Sequence, residues 1–234
     1  MFNRRINVPK NECLKKRPRR RNTVQKLVDG LTFPLRALTL FHSDAFGLSS
    51  LATERFDYVA RHVRGFCLDI GCGPGNRFIR EFCGENGVGI DVFPYDGLGP
   101  ENIITDPTHL PFPAETFDTV TFIANLNHVP EAIRPAELAE SFRVLKPGGN
   151  IIVTMGSALA EILVHKLVAL YDRLLGTNVD IDSQRGMLEG ESYYLTSKQV
   201  FLYLANAGFI NVRRHRFWTQ WGLNSLYVGF KPAK

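Results

Sequence analysis

Residues 65–78 read GFCLDIGCGPGNRF, with glycine at positions 71, 73 and 75 directly after an apolar run. Glycine inside a strand or helix costs roughly 0.5–1 kcal/mol relative to alanine, so three at alternate positions mark a turn whose conformation, or whose nearness to a ligand, requires them. The run before them reads as a buried strand, and NRFIREFC after them as a helix. A strand, a glycine turn and a helix in that order aim main-chain N–H groups at a ligand beyond the carboxyl edge of a sheet.

The pattern alternates on both sides of this stretch. GVGID (87–91), ENIIT (101–105), FDTVTFIAN (117–125) and NIIVTM (150–155) read as further short strands. PAELAESFRVL (135–145) reads as a helix ended by Lys-Pro-Gly-Gly, and SSLATERFDYVARHV (49–63) as one with an inward stripe of Leu51, Phe56, Val59 and Val63. Apolar strands separated by helices predict a parallel sheet covered on both faces. At the end, helix SKQVFLYLANAG (197–208) is followed by FINVRRHRF (209–217) and LNSLYVGFK (223–231), a few residues apart. So short a loop cannot carry a parallel crossover, so the last two strands are expected to be antiparallel.

Composition bounds what such a domain does. The chain has 234 residues, enough for one sizeable α/β domain. Its four cysteines (Cys13, Cys67, Cys72, Cys83) form no CxxC pair and have no histidine at zinc-finger spacing. That argues against a structural metal or a disulfide framework, so no metal site is expected and the thiols are read as reduced. Ten of the 28 basic residues but two of the 23 acidic ones fall within residues 1–30, a net +8 that leaves the remainder at −3. The basic character therefore belongs to the N-terminal tail. No run approaches the ~18 apolar residues of a membrane span. LVDGLTFPLRALTLF (27–41), broken by Asp29, Pro34 and Arg36, makes a poor signal peptide. The expected location is the cytoplasm, with a peripheral position at a membrane surface if the tail binds one.

Three parts are expected along the chain. Residues 1–22 form a basic tail without apolar periodicity, disordered when alone. Residues 23–64 form an N-terminal helical segment, in which Val24, Leu27, Val28 and Leu31 follow helical spacing behind a Thr23 cap. Residues 65–234 form the main domain, with a helical insertion at about 156–196. Within it ALAEILVHKLVALYDRLLG (158–176) carries a leucine stripe that either packs on the sheet or covers an apolar acceptor, and Tyr193 and Tyr194 follow where they could close such a pocket.

The local spacing separates two cofactor readings. A dinucleotide fingerprint G-x-G-x-x-G needs a third glycine at position 76, where the chain has asparagine. The stretch instead fits D-x-G-x-G-x-G from Asp69 to Gly75. This resembles motif I of the class I S-adenosylmethionine-dependent methyltransferases, in particular the small-molecule group of the ubiquinone and menaquinone enzymes. ITDPTHLPFPAETFDTVTFIANLNHVPE (104–131) and ESFRVLKPGGNIIVT (140–154) are similar to later segments of that group. The resemblance implies a Rossmann-like doubly wound sheet of order 3-2-1-4-5-7-6, mostly parallel with an antiparallel terminal strand, and S-adenosylmethionine as cofactor.

By the same resemblance, Asp69 organises the glycine loop, and Gly71, Cys72, Gly73 and Gly75 bring backbone to the cofactor. Asp91 takes the ribose hydroxyls, Val92 and Phe93 pack on the adenine, and Asp106 accepts from the adenine amino group. The residue after that acid commonly offers a main-chain N–H to the purine; here it is Pro107, which has none. Either Thr108 takes over or the contact is absent. Asn125 offers its backbone to the methionine part.

Methyl transfer from a sulfonium needs chiefly alignment, and positioning can supply several kcal/mol. An oxygen or nitrogen nucleophile can also need a base, for which His128, just beyond the fourth strand, is the candidate; its alternative role is to cap the loop. His109 would shape the pocket. Three functions follow: a methyltransferase for a small, apolar or lipid-linked acceptor; an RNA-modifying methyltransferase, for which the basic tail and VRRHRFW (212–218) speak; and a cofactor-binding protein without turnover. The tail could also touch an anionic membrane surface.

Overall fold

The computed structural model describes residues 21–39, 43–157 and 195–233. A six-stranded sheet forms its centre: β1 (Cys67–Ile70), β2 (Gly87–Ile90), β3 (Phe117–Ile123), β4 (Leu145–Gly156), β5 (Ile210–Arg216) and β6 (Asn224–Phe230). Their order is β2-β1-β3-β4-β6-β5. The first three pairings are parallel and both pairings of β6 are antiparallel. β1 is buried along its whole length, as a central parallel strand covered on two faces must be.

Helices α1 (Thr23–Leu31), α2 (Phe33–Thr39) and α3 (Leu51–Ala60) precede the sheet. Between β3 and β4 lies α4 (Arg134–Val144), and α5 (Ser197–Asn206) leads into β5. The larger core joins Leu68, Val120, Phe122, Ile151 and Val153 of the sheet to Leu138 of α4 and Val200 and Leu204 of α5. On the other face Val59 of α3 packs with Phe78, Ile79, Ile152 and Phe217.

Several local expectations are corrected. The strand expected at 101–105 shrinks to one bridge, Asp91 to Ile103, because Pro100–Asn102 turns as a 3-10 helix and leaves no room before Pro107. With that bridge counted, the strand order is the expected one. The helix expected after the glycines is a 3-10 turn at Pro74–Asn76 followed by a single π turn at Phe78–Phe82. Lys-Pro-Gly-Gly does not precede the fifth strand but lies inside β4, where Gly148 takes φ +75° and Phe117 pairs with Leu145 before the register shifts. The cap of α1 is Asn22, whose Oδ1 accepts from Gln25 N at 2.7 Å, and not Thr23.

The N-terminal helices contradict their sequence pattern most. The stripe of Val24, Leu27, Val28 and Leu31 faces outward, and the buried residue of α1 is Asp29. Arg21, counted above with the tail, is also buried, bonded to Asp29 and, at 3.0 Å, to Asp57. Arg36 is fully buried; it bonds to Glu54, donates through Nε to Ser49 O at 2.8 Å and through Nη1 to Asp29 O at 3.0 Å. Thr219 donates to Glu54, and Gln220 Nε2 donates to it at 3.1 Å. On α3 the inner face consequently includes Glu54 and Asp57 beside Leu51 and Val59. Burial alone would lower the pKa of the Arg21 guanidinium, but the carboxylates of Glu54, Asp29 and Asp57 outweigh it and raise the value. Buried charges are tolerated only when paired, and this cluster fixes which side of α1 and α2 turns inward. The insertion expected at 156–196, with the stripe of 158–176 and both tyrosines, and residues 1–20 of the tail lie outside the described residues.

Candidate cofactor site

Gly71, Gly73 and Gly75 all take positive φ, of 71°, 64° and 67°. Gly71 closes onto β3: a Cβ there would lie 2.1 Å from Asn125 Nδ2. The same Nδ2 donates to Ile70 O at 3.2 Å, so the Asn125 side chain joins the ends of β1 and β3. Among the described residues nothing lies within 4 Å of where a Cβ on Gly73 or Gly75 would stand. Packing among the described residues therefore does not require glycine there; the positive φ does, and main chain is left facing the carboxyl edge. Asn76, which stands where a dinucleotide fingerprint has glycine, has φ +48° and a buried Oδ1 without a hydrogen-bond partner among the described residues. It fits because Gly89 on β2 has no side chain; a Cβ there would lie 2.0 Å from that oxygen.

Asp91 follows β2 and is buried. Oδ2 accepts from Gly73 N and Oδ1 from Phe93 N, each at 3.0 Å. One hydrogen bond per oxygen leaves lone pairs for two further donors. Beside it Val92 and Phe93 are exposed apolar side chains. A bare glycine loop, an acid with spare acceptor capacity and two apolar side chains fit the ribose and adenine of an adenosyl group.

Asp69 is buried and accepts from Thr121 Oγ1 at 2.6 Å. Its carboxyl is held by β3 and pushed up to about 7, by burial first and by Asp91 in addition, against the Thr121 bond. Cys72 is buried between the glycines with its N–H on Ile90 O at 3.1 Å, and burial pushes its thiol up. Among the described residues no group of histidines, cysteines and acids could hold a metal ion.

The adenine end differs from the expectation in detail. Asp106 is exposed, and Oδ1 accepts from Thr108 N at 2.8 Å and Thr108 Oγ1 at 2.6 Å, while Oδ2 meets His109 Nδ1 at 3.0 Å. These bonds, those of Thr108 first, lower the Asp106 pKa. The Thr108 N–H is thus committed within its own turn, and a purine could receive it only by exchanging that bond. His128 N donates to Asn125 O at 2.8 Å, which places the half-buried histidine on the loop after β3 at the carboxyl edge.

Sequence reading missed two groups. The Asn125 side chain matters besides its backbone; glycine at 71 is the sequence counterpart of its bulk. Glu137 in the first turn of α4 is buried, and Oε2 has no hydrogen-bond partner among the described residues. Burial pushes its carboxyl up to about 8; Arg134 opposes this and Asp91 adds to it. Nothing in an amphipathic helix pattern marks that residue.

Residues 68–153 match the family model described as a methyltransferase domain. The chain is 29% identical over 153 residues to the ubiquinone/menaquinone biosynthesis C-methyltransferase UbiE of Saccharophagus degradans, covering 62% of this chain and 60% of that protein. It is 31% identical over 134 residues to demethylmenaquinone methyltransferase of Lactiplantibacillus plantarum, covering 54% of each. Haemonchus contortus phosphoethanolamine N-methyltransferase 2, solved with S-adenosyl-L-methionine, superposes with a TM-score of 0.54 at 16% identity, covering 85% of this chain and 56% of that one. The chain thus spans little more than half the length of these curated relatives. Over residues 68–153 the chain matches a methyltransferase domain, and its sequence is similar to the ubiquinone and menaquinone group of those enzymes.

Proposed function

We propose that the protein transfers a methyl group from S-adenosylmethionine to a small, apolar or lipid-linked acceptor. The observation that carries the reading is the pairing of the bare glycine loop with Asp91, bonded to Gly73 at 3.0 Å with acceptor capacity to spare. The cofactor, when bound, supplies an activated sulfonium methyl. The chain's part is to bind and orient: Asp91 receives the ribose hydroxyls, and Val92 and Phe93 flank the adenine. Asp69 and the Asn125 side chain hold the loop's entry. His128 takes the acceptor's proton where the nucleophile carries one. The lipid-linked acceptor is supported by the relatives named for ubiquinone and menaquinone biosynthesis.

The protein is taken to work in the cytoplasm, its basic tail able to touch an anionic membrane surface or nucleic acid. No helix among the described residues is long and apolar enough to cross a membrane. Incubation with methyl-labelled S-adenosylmethionine and fractionated cell extract tests the reading: label should enter the lipid or small-metabolite fraction. Label in RNA would replace it with nucleic-acid modification, and no label with S-adenosylmethionine bound would leave a binding protein.

A further inference from the structure

We infer that α1, with Trp218 and Trp221, forms a face that inserts shallowly into an anionic lipid bilayer. Amphipathic helices of soluble proteins turn the apolar stripe inward; α1 does the reverse. Val24 is 69% exposed, Leu27 63% and Leu31 73%, with Val28 between them, while Asp29 lies inside. The orientation is fixed, because Arg21, Arg36, Glu54 and Asp57 converge with Asp29 beneath the helix. Rolling α1 over to hide its leucines would break that buried cluster.

Two exposed tryptophans extend the stripe. Trp221 donates its indole N–H to Gly30 O at 2.8 Å, and its ring lies 5.4 Å from that of Phe33. Trp218 is 73% exposed and Trp221 58%. Exposed Leu35 adds to the apolar surface from α2. Tryptophan is favoured at the boundary between headgroups and acyl chains, and an in-plane helix with an apolar outer face is a membrane-surface element.

The charge around this face selects the lipid. Lys26 is exposed on α1, and the stem of Arg216 approaches Gly222 from the same side as the Trp218 ring. Residues 1–20, which precede α1 in the sequence, carry eight basic residues and one acidic. Near an anionic surface such residues add roughly 1 kcal/mol each. Nucleic acid would meet the same charge but offers nothing to a stripe of valine and leucine.

The loop that carries both tryptophans joins β5 to β6, and Asn224 at its end pairs with Gly156 at the carboxyl end of β4. The face therefore lies on the sheet edge that also carries the glycine loop. The inference holds whatever group the enzyme transfers.

Trp218 and Trp221 are the chain's two tryptophans, so their fluorescence reports on this face alone. The full chain is mixed with phosphatidylcholine vesicles with and without 30% phosphatidylglycerol, their acyl chains brominated near the headgroup, and binding is followed by cosedimentation. Anionic vesicles should quench the tryptophans, and Leu27→Glu/Leu31→Glu should lower partitioning at least tenfold with an unchanged circular dichroism spectrum. Should that variant misfold, Trp218→Ala, at an exposed site, should lower partitioning several-fold. Absence of quenching, full binding by both variants through the tail alone, or tighter binding to RNA with the same sensitivity to these substitutions would overturn the inference.

Discussion

The main-chain N–H of Gly73 donates to Asp91 Oδ2 across 3.0 Å, joining the open glycine loop to the acid that ends β2. The two halves of the site thus hold each other before any ligand arrives, and the geometry is preorganised on the edge of a rigid sheet.

Asp91→Ala should weaken S-adenosylmethionine binding by about 1.5–3 kcal/mol, the range for hydrogen bonds to a charged group. Calorimetry on the folded variant measures it. An unaltered dissociation constant would place the ribose elsewhere.

Two glycines should respond differently to alanine. At Gly71 the new Cβ meets Asn125 2.1 Å away, so Gly71→Ala should lower the melting temperature markedly. At Gly73 the described residues leave room, but φ 64° with ψ −170° is a backbone region essentially reserved for glycine, which costs another residue about 1–3 kcal/mol. Gly73→Ala should therefore stay folded at 25 °C but bind the cofactor more weakly, as measured by paired thermal melts and titrations.

Replacing His128 by alanine should lower turnover about 10²-fold if it takes the acceptor's proton, while cofactor affinity stays nearly constant. Single-turnover kinetics with labelled cofactor separates the two. Full activity would assign the histidine to its loop.

Glu137 makes stability depend on pH. A carboxyl whose folded pKa is raised binds its proton more tightly when folded, so its contribution falls as pH rises from the ordinary 4.5 to about 8, then levels off. Glu137→Gln removes that dependence. Its gain in melting temperature over the parent should be several-fold larger at pH 8.5 than at pH 5; equal gains would show that the carboxyl ionises freely.

Arg36 pairs with Glu54 and Asp29 at full burial, so Arg36→Ala leaves Glu54 without its paired cation, while Asp29 keeps Arg21, and should cost about 3–5 kcal/mol. Urea denaturation checks this. A loss below 1 kcal/mol would mean that water reaches the cluster.

The sheet and the glycine turn were legible because strand alternation and glycine spacing are local signals with one geometric meaning. The place of Asp91 at the end of β2 was legible from the strand GVGID, whereas its role at the ribose came from the resemblance and remains for the binding measurement. The orientation of α1 was not legible: spacing tells which residues share a side, and whether that side turns inward depended on Arg21 finding Asp57, 36 positions away. Nor could sequence show that the Thr108 N–H is spent on Asp106, or that Glu137 is sealed inside. The strand at 101–105 had the right composition and was cut short by the turn at Pro100 and by Pro107.

Gly89 and Asn76 sit on different elements, yet one fills the space the other vacates. Neither can drift alone. A side chain at 89 strikes the asparagine, while a smaller residue at 76 leaves a void beside a bare strand. The bare position at 89 thus serves the glycine loop twice, because a Cβ there would also lie 2.8 Å from that of Cys72.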